Sequence, residues 1–157
     1  MTVMFRTNAF RIAALLLVAI APAAAQTALP PMKTQPNPQR VVDEHLDALN
    51  ACAWDRIMAQ YSAEVQLHLP NGVWVEGRDK VGALFEGFCK DRKDGGFKGL
   101  VFTPVKVFAV EDTVNVTWEA NAPYLAQPYK EADAYVTKDG LMYAQVTTFD
   151  PAGMKMK

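Results

Sequence analysis

Hydrophobic residues recur at helical spacing in three segments of the first half of the chain. On a helical wheel, residues 41–52 place their apolar side chains and His45 on one continuous arc, with the acidic residues and Asn50 on the opposite side. Two shorter segments, residues 54–61 and 79–89, repeat apolar side chains at i, i+3, i+4 and i+7. The pattern therefore predicts one clear amphipathic helix from about residue 40 and two shorter helices after it.

The period changes to two between the second and third helices and again throughout the second half of the chain. Residues 64–76 alternate like a strand pair around the turn Pro70-Asn71-Gly72, and Asp139-Gly140 is typical of a hairpin turn. Helices followed by a long run of strands favour an α+β fold, in which three N-terminal helices pack on one face of a curved antiparallel or mixed sheet. Four strands make up that run, at residues 100–110, 113–122, 129–137 and 141–149.

Residues 1–25 have the pattern of a secretory signal peptide. Arg6 and Arg11 supply the positive charge, a short apolar run follows, and the small residues Ala23 and Ala25 suit a signal peptidase. The apolar run is about half of the roughly 20 residues that span a bilayer, so we expect no stable membrane anchor. We predict cleavage near Ala25 and a periplasmic or secreted protein.

The rest of the chain is predicted to contain one folded domain. Residues 26–39 include four prolines, which favour a flexible, extended lead-in over regular structure. The domain is expected to cover residues 40–150, and residues 151–157 form a short tail. No internal repeat and no second domain are indicated.

Composition excludes several classes of protein. Half of the 157 residues are hydrophobic, which is typical of a globular chain. The net charge of −1 and the lack of any basic run argue against a nucleic-acid-binding protein. No nucleophile elbow, phosphate-binding loop or dinucleotide fingerprint occurs, so we expect no cofactor. Two histidines without a Glu-x-x-His pattern argue against a metal site.

His45 is the most informative side chain, because the wheel places it at the centre of the apolar arc. A polar group there must find a hydrogen-bond partner or face a cavity, since burying it unpaired costs about 1–3 kcal/mol. One interpretation is a core histidine that a backbone carbonyl satisfies. The other is a pocket-lining histidine that donates a hydrogen bond or acts as a general base.

Three short motifs, at the places where elements begin and end, resemble those of a known superfamily. Tyr61-Ser62-Ala63-Glu64 closes the second helix, Pro70-Asn71-Gly72 follows the first strand and Gly77-Arg78-Asp79 opens the third helix. This order resembles the nuclear transport factor 2-like superfamily and, more narrowly, the SnoaL-like domains, which are relatives of polyketide cyclases and ketosteroid isomerases. The resemblance covers residues 40–150. It implies a cone in which a bent sheet wraps around the helices, an apolar pocket open at one end, and a homodimer formed through the sheet.

The resemblance also places the pocket residues of the isomerases on this sequence. The tyrosine that binds the substrate oxygen falls at His45, and the catalytic aspartate of the first strand falls at Leu69, which cannot remove a proton. The second pocket carboxyl falls near Asp133, which has alanines on both sides. Asp133 is either a solvated edge residue or an inward-facing acid. In the second case we expect a His45–Asp133 pair at the pocket floor, with Asp133 orienting the histidine or protonating a substrate oxygen.

The remaining candidates are aromatic or lie on the first strand. Trp118 is expected in the pocket wall, and Tyr135 adds aromatic surface that a flat ligand could stack on. His68 lies on the polar face of its strand, where it is either a surface imidazole or, after a one-residue shift of register, a pocket residue in place of the missing acid.

Cys52 and Cys89 are the only cysteines of the chain and lie near the ends of the first and third predicted helices. In an oxidising compartment a disulfide between them would close a loop of about 36 residues and stabilise the fold by roughly 3–4 kcal/mol in the chain-entropy model. The alternative is two separate buried thiols.

These observations lead to two hypotheses for function. The first is an exported domain that binds a small, largely apolar molecule and carries out acid–base chemistry of the isomerase, cyclase or dehydratase type without a cofactor. The second is a domain without catalytic activity that binds a ligand or another protein. The family contains both kinds, so the fold does not decide between them.

Overall fold

The computed structural model describes residues 28–157. The predicted signal peptide therefore lies outside the described residues. Over residues 28–157, no helix is both long enough and apolar enough to cross a bilayer. The helices are α1 (Pro38–Asn50), α2 (Trp54–Ala59) and α3 (Arg78–Phe88), and the strands are β1 (Tyr61–Leu69), β2 (Val73–Glu76), β3 (Val101–Val110), β4 (Thr113–Asn121), β5 (Tyr129–Lys138) and β6 (Leu141–Thr147).

The first helix forms where the apolar arc predicts it and begins two residues earlier, at Pro38. The Asn37 side chain caps it by accepting a hydrogen bond from the Arg40 backbone N–H (2.9 Å), and proline at the first helical position suits this geometry. At the other end the chain turns through a left-handed residue, Cys52, with φ of 48°. The second helix is shorter than predicted. It ends at Ala59, and Tyr61 begins β1 instead of closing the helix.

The six strands form one sheet in the order β2-β1-β6-β5-β4-β3. β1 pairs with β6 in parallel, and all other neighbours are antiparallel, so the sheet is mixed. Asp139 and Gly140 both have positive φ in the predicted hairpin between β5 and β6, as a two-residue turn of this kind requires. The three helices pack on one face. The predicted α+β fold is confirmed.

Alternation along the strands separates a buried inner face from an outer face. On β4, Val114, Val116 and Trp118 are buried beneath the helices, while the residues between them point outward. On the outer face, residues in register across all six strands form a line that we call the outer row. Large side chains occupy both of its ends, and small ones occupy its middle. It contains Trp74, His68, Val146, Ala134, Asn115 and Phe108.

The part of the proline-rich lead-in that the structure describes is extended, as predicted, but it is tied to the domain. The Lys33 N–H donates to the Ala59 carbonyl (2.8 Å), and the Gln35 N–H donates to the Gly140 carbonyl (2.9 Å). Arg78 donates to the carbonyl of Pro30 (2.6 Å). These hydrogen bonds connect the lead-in to α2, α3 and the β5–β6 turn.

Gly140 tests this packing. A Cβ at this position would lie 2.5 Å from the Gln35 carbonyl oxygen, and φ is 77°. We expect Gly140→Ala to lower the free energy of unfolding by about 2–3 kcal/mol, measured by urea denaturation. Gly99→Ala is the matched control, since Gly99 has a φ of 85° and no atom within 4 Å of the added Cβ. It should cost only the backbone strain, about 1 kcal/mol. Equal losses in both variants would contradict the packing.

Candidate ligand cavity

Two cavities adjoin each other. The inner one lies between the helices and the inner face of the sheet, and the outer one is lined by the end of α3 and by the segments that follow β1, α3 and β6. The inner one has a volume of about 60 Å³ and the outer one about 470 Å³. They are separated by side chains that line both, which we call the shared wall. The outer volume falls in the range of small-molecule sites, whereas the inner one accommodates only a few atoms. The shared wall consists of Leu69, Leu84, Phe88 and Phe149.

The inner cavity is apolar except at one side, where β5 and β6 contribute polar groups. Asp133 and Tyr135 are two residues apart on β5 and therefore face the same side of the sheet. The register pairs them with Thr147 and Gln145 on β6, so four polar side chains meet there. All four line the cavity, and all four are buried.

A hydrogen-bonded chain holds the Asp133 carboxyl in place. Oδ2 accepts from the Tyr135 hydroxyl (2.8 Å) and from the Gln145 amide Nε2 (3.2 Å). The Gln145 Oε1 in turn accepts from the Tyr61 hydroxyl (2.7 Å). The other carboxyl oxygen, Oδ1, is buried and makes no hydrogen bond with any residue that the structure describes. Since both donors bind Oδ2, Oδ1 is the oxygen on which a proton would reside.

Burial raises the pKa of Asp133 above its ordinary value, because the charged form is poorly solvated there. Polar groups around the carboxyl, namely those of Thr147, Tyr135, Trp118 and Gln145, act in the opposite direction. Burial, and to a smaller extent the charge of Asp133, raises the pKa of Tyr135, so this phenol stays protonated. The inner cavity thus contains a carboxyl that holds its proton to higher pH than an exposed aspartate.

Trp118 lies in the cavity wall, as predicted. Its ring is buried against Phe102, with the ring centroids 4.9 Å apart. The indole Nε1–H is near the Asp133 carboxyl but makes no well-aligned hydrogen bond. A second buried polar atom near the Asp133 carboxyl is therefore without a hydrogen-bond partner among the described residues.

His45 occupies the centre of the apolar arc, as the wheel indicates, but it does not line either cavity. Its imidazole is fully buried among the rings of Tyr61, Phe85 and Tyr135, at centroid distances of 5.6 to 5.8 Å. Neither ring nitrogen has a hydrogen-bond partner among the described residues. The expected direct pair with Asp133 is not formed, and no backbone carbonyl satisfies the imidazole either.

The predicted role of His45 as a general base requires contact with a ligand, which this position does not provide. Burial lowers the pKa of His45 to about 4, so the imidazole is neutral at pH 7. Tyr135 lies between it and the cavity. In this arrangement His45 packs against Tyr135 on the side of the ring that faces away from the inner cavity.

The other two candidate positions from the sequence, Leu69 and His68, lie on opposite faces of the sheet. Leu69 faces the cavity, as the resemblance implies, and brings an apolar side chain to the position of the catalytic aspartate. His68 lies on the outer face, where its ring packs on Trp74 at a centroid distance of 3.8 Å. The one-residue shift that would aim His68 into the pocket does not occur.

Two polar residues of the site, Gln145 and Thr147, were not predicted. A register continued unchanged from the hairpin turn would place Ala144 and Val146 opposite Tyr135 and Asp133. A bulge between Val136 and Thr137 shifts the pairing by one residue, and no sequence pattern predicts that bulge. The shared wall was also missed. Its members come from β1, α3 and the segment after β6, and no local pattern connects them.

Cys52 and Cys89 are both free thiols and half-buried. Within residues 28–157, no group of three or more His, Cys, Asp or Glu side chains is arranged to hold a metal ion.

The buried imidazole makes stability depend on pH. Between the ordinary pKa of 6.5 and the folded value of about 4, the unfolded chain binds a proton that the folded one does not. The contribution of His45 to the free energy of unfolding is therefore fully present above pH 6.5. It falls by up to about 3 kcal/mol as the pH drops toward 4. Asp133 acts in the opposite sense, since its folded pKa is raised. We expect His45→Leu to remove the His45 contribution, measured by urea denaturation from pH 7 to pH 4.5.

The difference between the wild-type and His45→Leu curves isolates the imidazole, because Asp133 is present in both. Phe85→Leu is the control, since it perturbs the same cluster without changing a titratable group and should lower stability equally at every pH. The explanation would fail if wild type and His45→Leu lost stability in parallel below pH 6.5.

Comparison with solved structures identifies the same architecture in other proteins. An NTF2-like protein of unknown function from Cytophaga hutchinsonii has a TM-score of 0.60 and 19% identity, with 77% of this chain and 96% of that one covered. A "putative ketosteroid isomerase" from Kribbella flavida has a TM-score of 0.57 and 17% identity, covering 73% and 81%. A computationally designed 17-OHP binder has a TM-score of 0.62 and 16% identity, covering 77% and 97%. At these identities the likeness shows the fold alone.

Among curated proteins, none matches the sequence. The family described as SnoaL-like domain does match, over residues 42–146, which is most of the folded part and includes Asp133, Tyr135 and Gln145 of the inner cavity. With the three helices, the mixed curved sheet and the cavity between them, the resemblance first indicated by three short motifs is confirmed, and the chain belongs to the SnoaL-like domains.

Proposed function

We propose that this domain binds a small, largely apolar molecule that carries an oxygen atom, and that Asp133 is the group that recognises the oxygen. The observation that supports this most directly is Asp133 Oδ1, a buried carboxyl oxygen without a partner in an apolar cavity. An unpaired polar group of this kind costs about 1–3 kcal/mol, which a ligand oxygen would offset.

The expected placement of the ligand follows from the two volumes. The body of the molecule fits the outer cavity of about 470 Å³, whereas the inner one of about 60 Å³ admits only a polar group at its tip. That tip would pass the shared wall and meet two donors, the protonated Asp133 Oδ1 and the Trp118 Nε1–H. Donors on both sides suit a carbonyl or an enolic oxygen, in which negative charge can develop.

The chemistry proposed for this site is proton donation by Asp133 during isomerisation, cyclisation or dehydration, without a cofactor. A carboxyl kept neutral by its surroundings can donate a hydrogen bond or a proton to a ligand oxygen. The Tyr135 hydroxyl and the Gln145 amide keep Oδ2 occupied and so leave the proton facing the cavity.

Passive binding is the second candidate, and one observation favours it. Proton transfer between two carbon atoms needs a base, yet Leu69 occupies the cavity position of the catalytic aspartate, and His45 is outside. Asp133 and Tyr135 are the only titratable groups among the residues that line the inner cavity. A designed 17-OHP binder has the same fold, which agrees with binding as a sufficient role.

We further propose that the ligand is met after export, which the signal-peptide pattern of residues 1–25 supports, and that the domain forms a homodimer through the outer face of its sheet. Trp74, Val146 and Phe108 of the outer row are 58, 43 and 53% exposed, which is unusual for a solvated sheet face. A two-fold axis near Ala134 would place the small middle of one row over that of the other, so that the two sheets approach closely and the large ends pack around the centre.

The ligand proposal can be tested with a thermal-shift screen of enones, steroid ketones and oxygenated aromatic polyketides, each beside an analogue that lacks the oxygen. We expect the oxygenated member of a pair to bind about 3–10-fold more tightly, which corresponds to the net free energy of about one hydrogen bond. The affinity of the wild type should fall as the pH rises through the raised pKa of Asp133, because the ionised carboxyl no longer donates.

Asp133→Asn and Asp133→Leu separate recognition from chemistry. In Asp133→Asn the amide oxygen takes over the bonds from Tyr135 and Gln145, so an N–H faces the cavity and binding should persist at all pH values. Any turnover should disappear in this variant. Asp133→Leu should lose the preference for the oxygenated ligand. If the preference survives in Asp133→Leu, Asp133 does not recognise the oxygen. A ligand that binds without ever turning over establishes passive binding.

The dimer proposal predicts a concentration-dependent mass of two chains in analytical ultracentrifugation. Ala134→Arg introduces a long charged side chain at the centre of the outer row and should give monomers. Ala83→Arg, on the exposed side of α3, is the matched control and should remain dimeric. A monomeric wild type at all concentrations would exclude the interface.

A further inference from the structure

The ends of α1 and α3 meet beside the beginning of β3. The Asn50 side chain donates to the Phe102 carbonyl (2.9 Å) and accepts from the Phe102 N–H (2.8 Å), which fixes the end of α1 to β3. The ring of Phe88, at the end of α3, contacts the Phe102 ring at a centroid distance of 6.1 Å. Phe102 thus joins both helix ends. Cys52 and Cys89 are the residues that follow these contacts, and their thiols lie within hydrogen-bonding distance of each other.

The backbone at Cys52 is in a conformation that usually selects glycine. The Cys52 N–H donates to the Leu49 carbonyl (3.0 Å), and the Ala53 N–H donates to the Ala48 carbonyl (2.9 Å), which together form a Schellman motif. Its left-handed position has φ of 48° at Cys52. A side chain is therefore held at a strained position, and that side chain reaches the second cysteine. Strain of this kind persists where the surroundings determine the conformation, often at functional sites.

The surroundings disfavour the thiolate of Cys89. Burial, and then the neighbouring Cys52, raises the pKa of Cys89 to about 12, and the Lys98 ammonium acts in the opposite direction. Cys89 therefore stays a thiol at neutral pH. Because the thiolate is the attacking form, Cys89 is a poor initial nucleophile toward an oxidant.

We propose that Cys52 and Cys89 are a disulfide-forming pair that a low-molecular-weight disulfide of the glutathione type oxidises in the folded protein. The Cys52 thiolate attacks the donor disulfide, forms a mixed disulfide and releases one glutathione thiolate. The Cys89 thiol then loses its proton and attacks the Cys52 sulfur, which releases the second glutathione. The protein gives up two electrons and two protons, and the donor disulfide becomes two thiols.

The bridge fixes the end of α3 to the end of α1. Phe88 of the shared wall directly precedes Cys89, and Lys90, which follows it, lines the outer cavity. Oxidation therefore constrains the helix end that separates the two cavities. The inference is independent of the proposed ligand, because it rests on the positions of the two cysteines alone.

The test uses the purified chain, reduced and then equilibrated in a glutathione redox buffer under native conditions. Labelling with a maleimide after unfolding should give two labels on the reduced chain and none on the oxidised one, whose mass falls by about 2 Da. Peptide mapping should join the peptides that contain Cys52 and Cys89 within one molecule. The bridge closes a loop of about 36 residues, so the Tm of the oxidised chain should rise by about 10 °C.

Cys52→Gly is the matched control, because glycine fits the left-handed backbone and removes the thiol. This variant should be at least as stable as the reduced wild type and show no rise in Tm on oxidation. In Cys89→Ser, Cys52 should retain one bound glutathione. The proposal is overturned if both thiols of the native wild type stay free at equilibrium, if they bridge only between molecules, or if Cys52→Gly shows the same rise.

Discussion

The register of β5 on β6 is the constraint on which the site depends. It brings Asp133 and Tyr135 opposite Thr147 and Gln145 and directs all four beneath the helices. A slip of one residue would reverse every side chain of the pair, so that small apolar residues would face the cavity and the acid would face solvent. The two-residue turn, with positive φ at Asp139 and Gly140, pairs Lys138 with Leu141. A bulge between Val136 and Thr137 then shifts the register by one residue and so brings Asp133 opposite Thr147. The turn and the bulge together determine which side chains of the two strands meet at the cavity.

The helices and strands follow from local periodicity, and for this reason the sequence is a reliable guide to them. Tyr61 is the instructive exception. It completes the helical spacing of α2, yet it begins β1, because pairing with β6 and a hydrogen bond to Gln145 give a buried tyrosine more than another turn of a short helix would. Tertiary contacts of this kind leave no trace in a window of neighbouring residues.

For the site residues, the sequence predicts only the direction in which their side chains point. The wheel shows that His45 points into the domain, and alternation allows Asp133 to point inward, but neither pattern reveals what lies between them. That depends on the ring of Tyr135, which fills the space and takes the hydrogen bond that a His45–Asp133 pair would need. Which carboxyl oxygen of Asp133 has no partner depends on which of the two oxygens the neighbouring donors bind. Side-chain packing in three dimensions determines such contacts and hydrogen bonds, and local sequence patterns do not predict them.

The small volume beside Asp133 also affects the enthalpy and the heat-capacity change of ligand binding. A space of about 60 Å³ admits only a few water molecules, and most of the side chains around it are Leu, Phe and Trp. A ligand tip that fills it would release little solvent and would gain dispersion contacts with the apolar part of the wall. Association would then be driven by enthalpy at room temperature, with a negative heat-capacity change from the apolar body in the outer cavity. Calorimetry would distinguish this regime from the entropy-driven association of an apolar molecule with an exposed, hydrated groove.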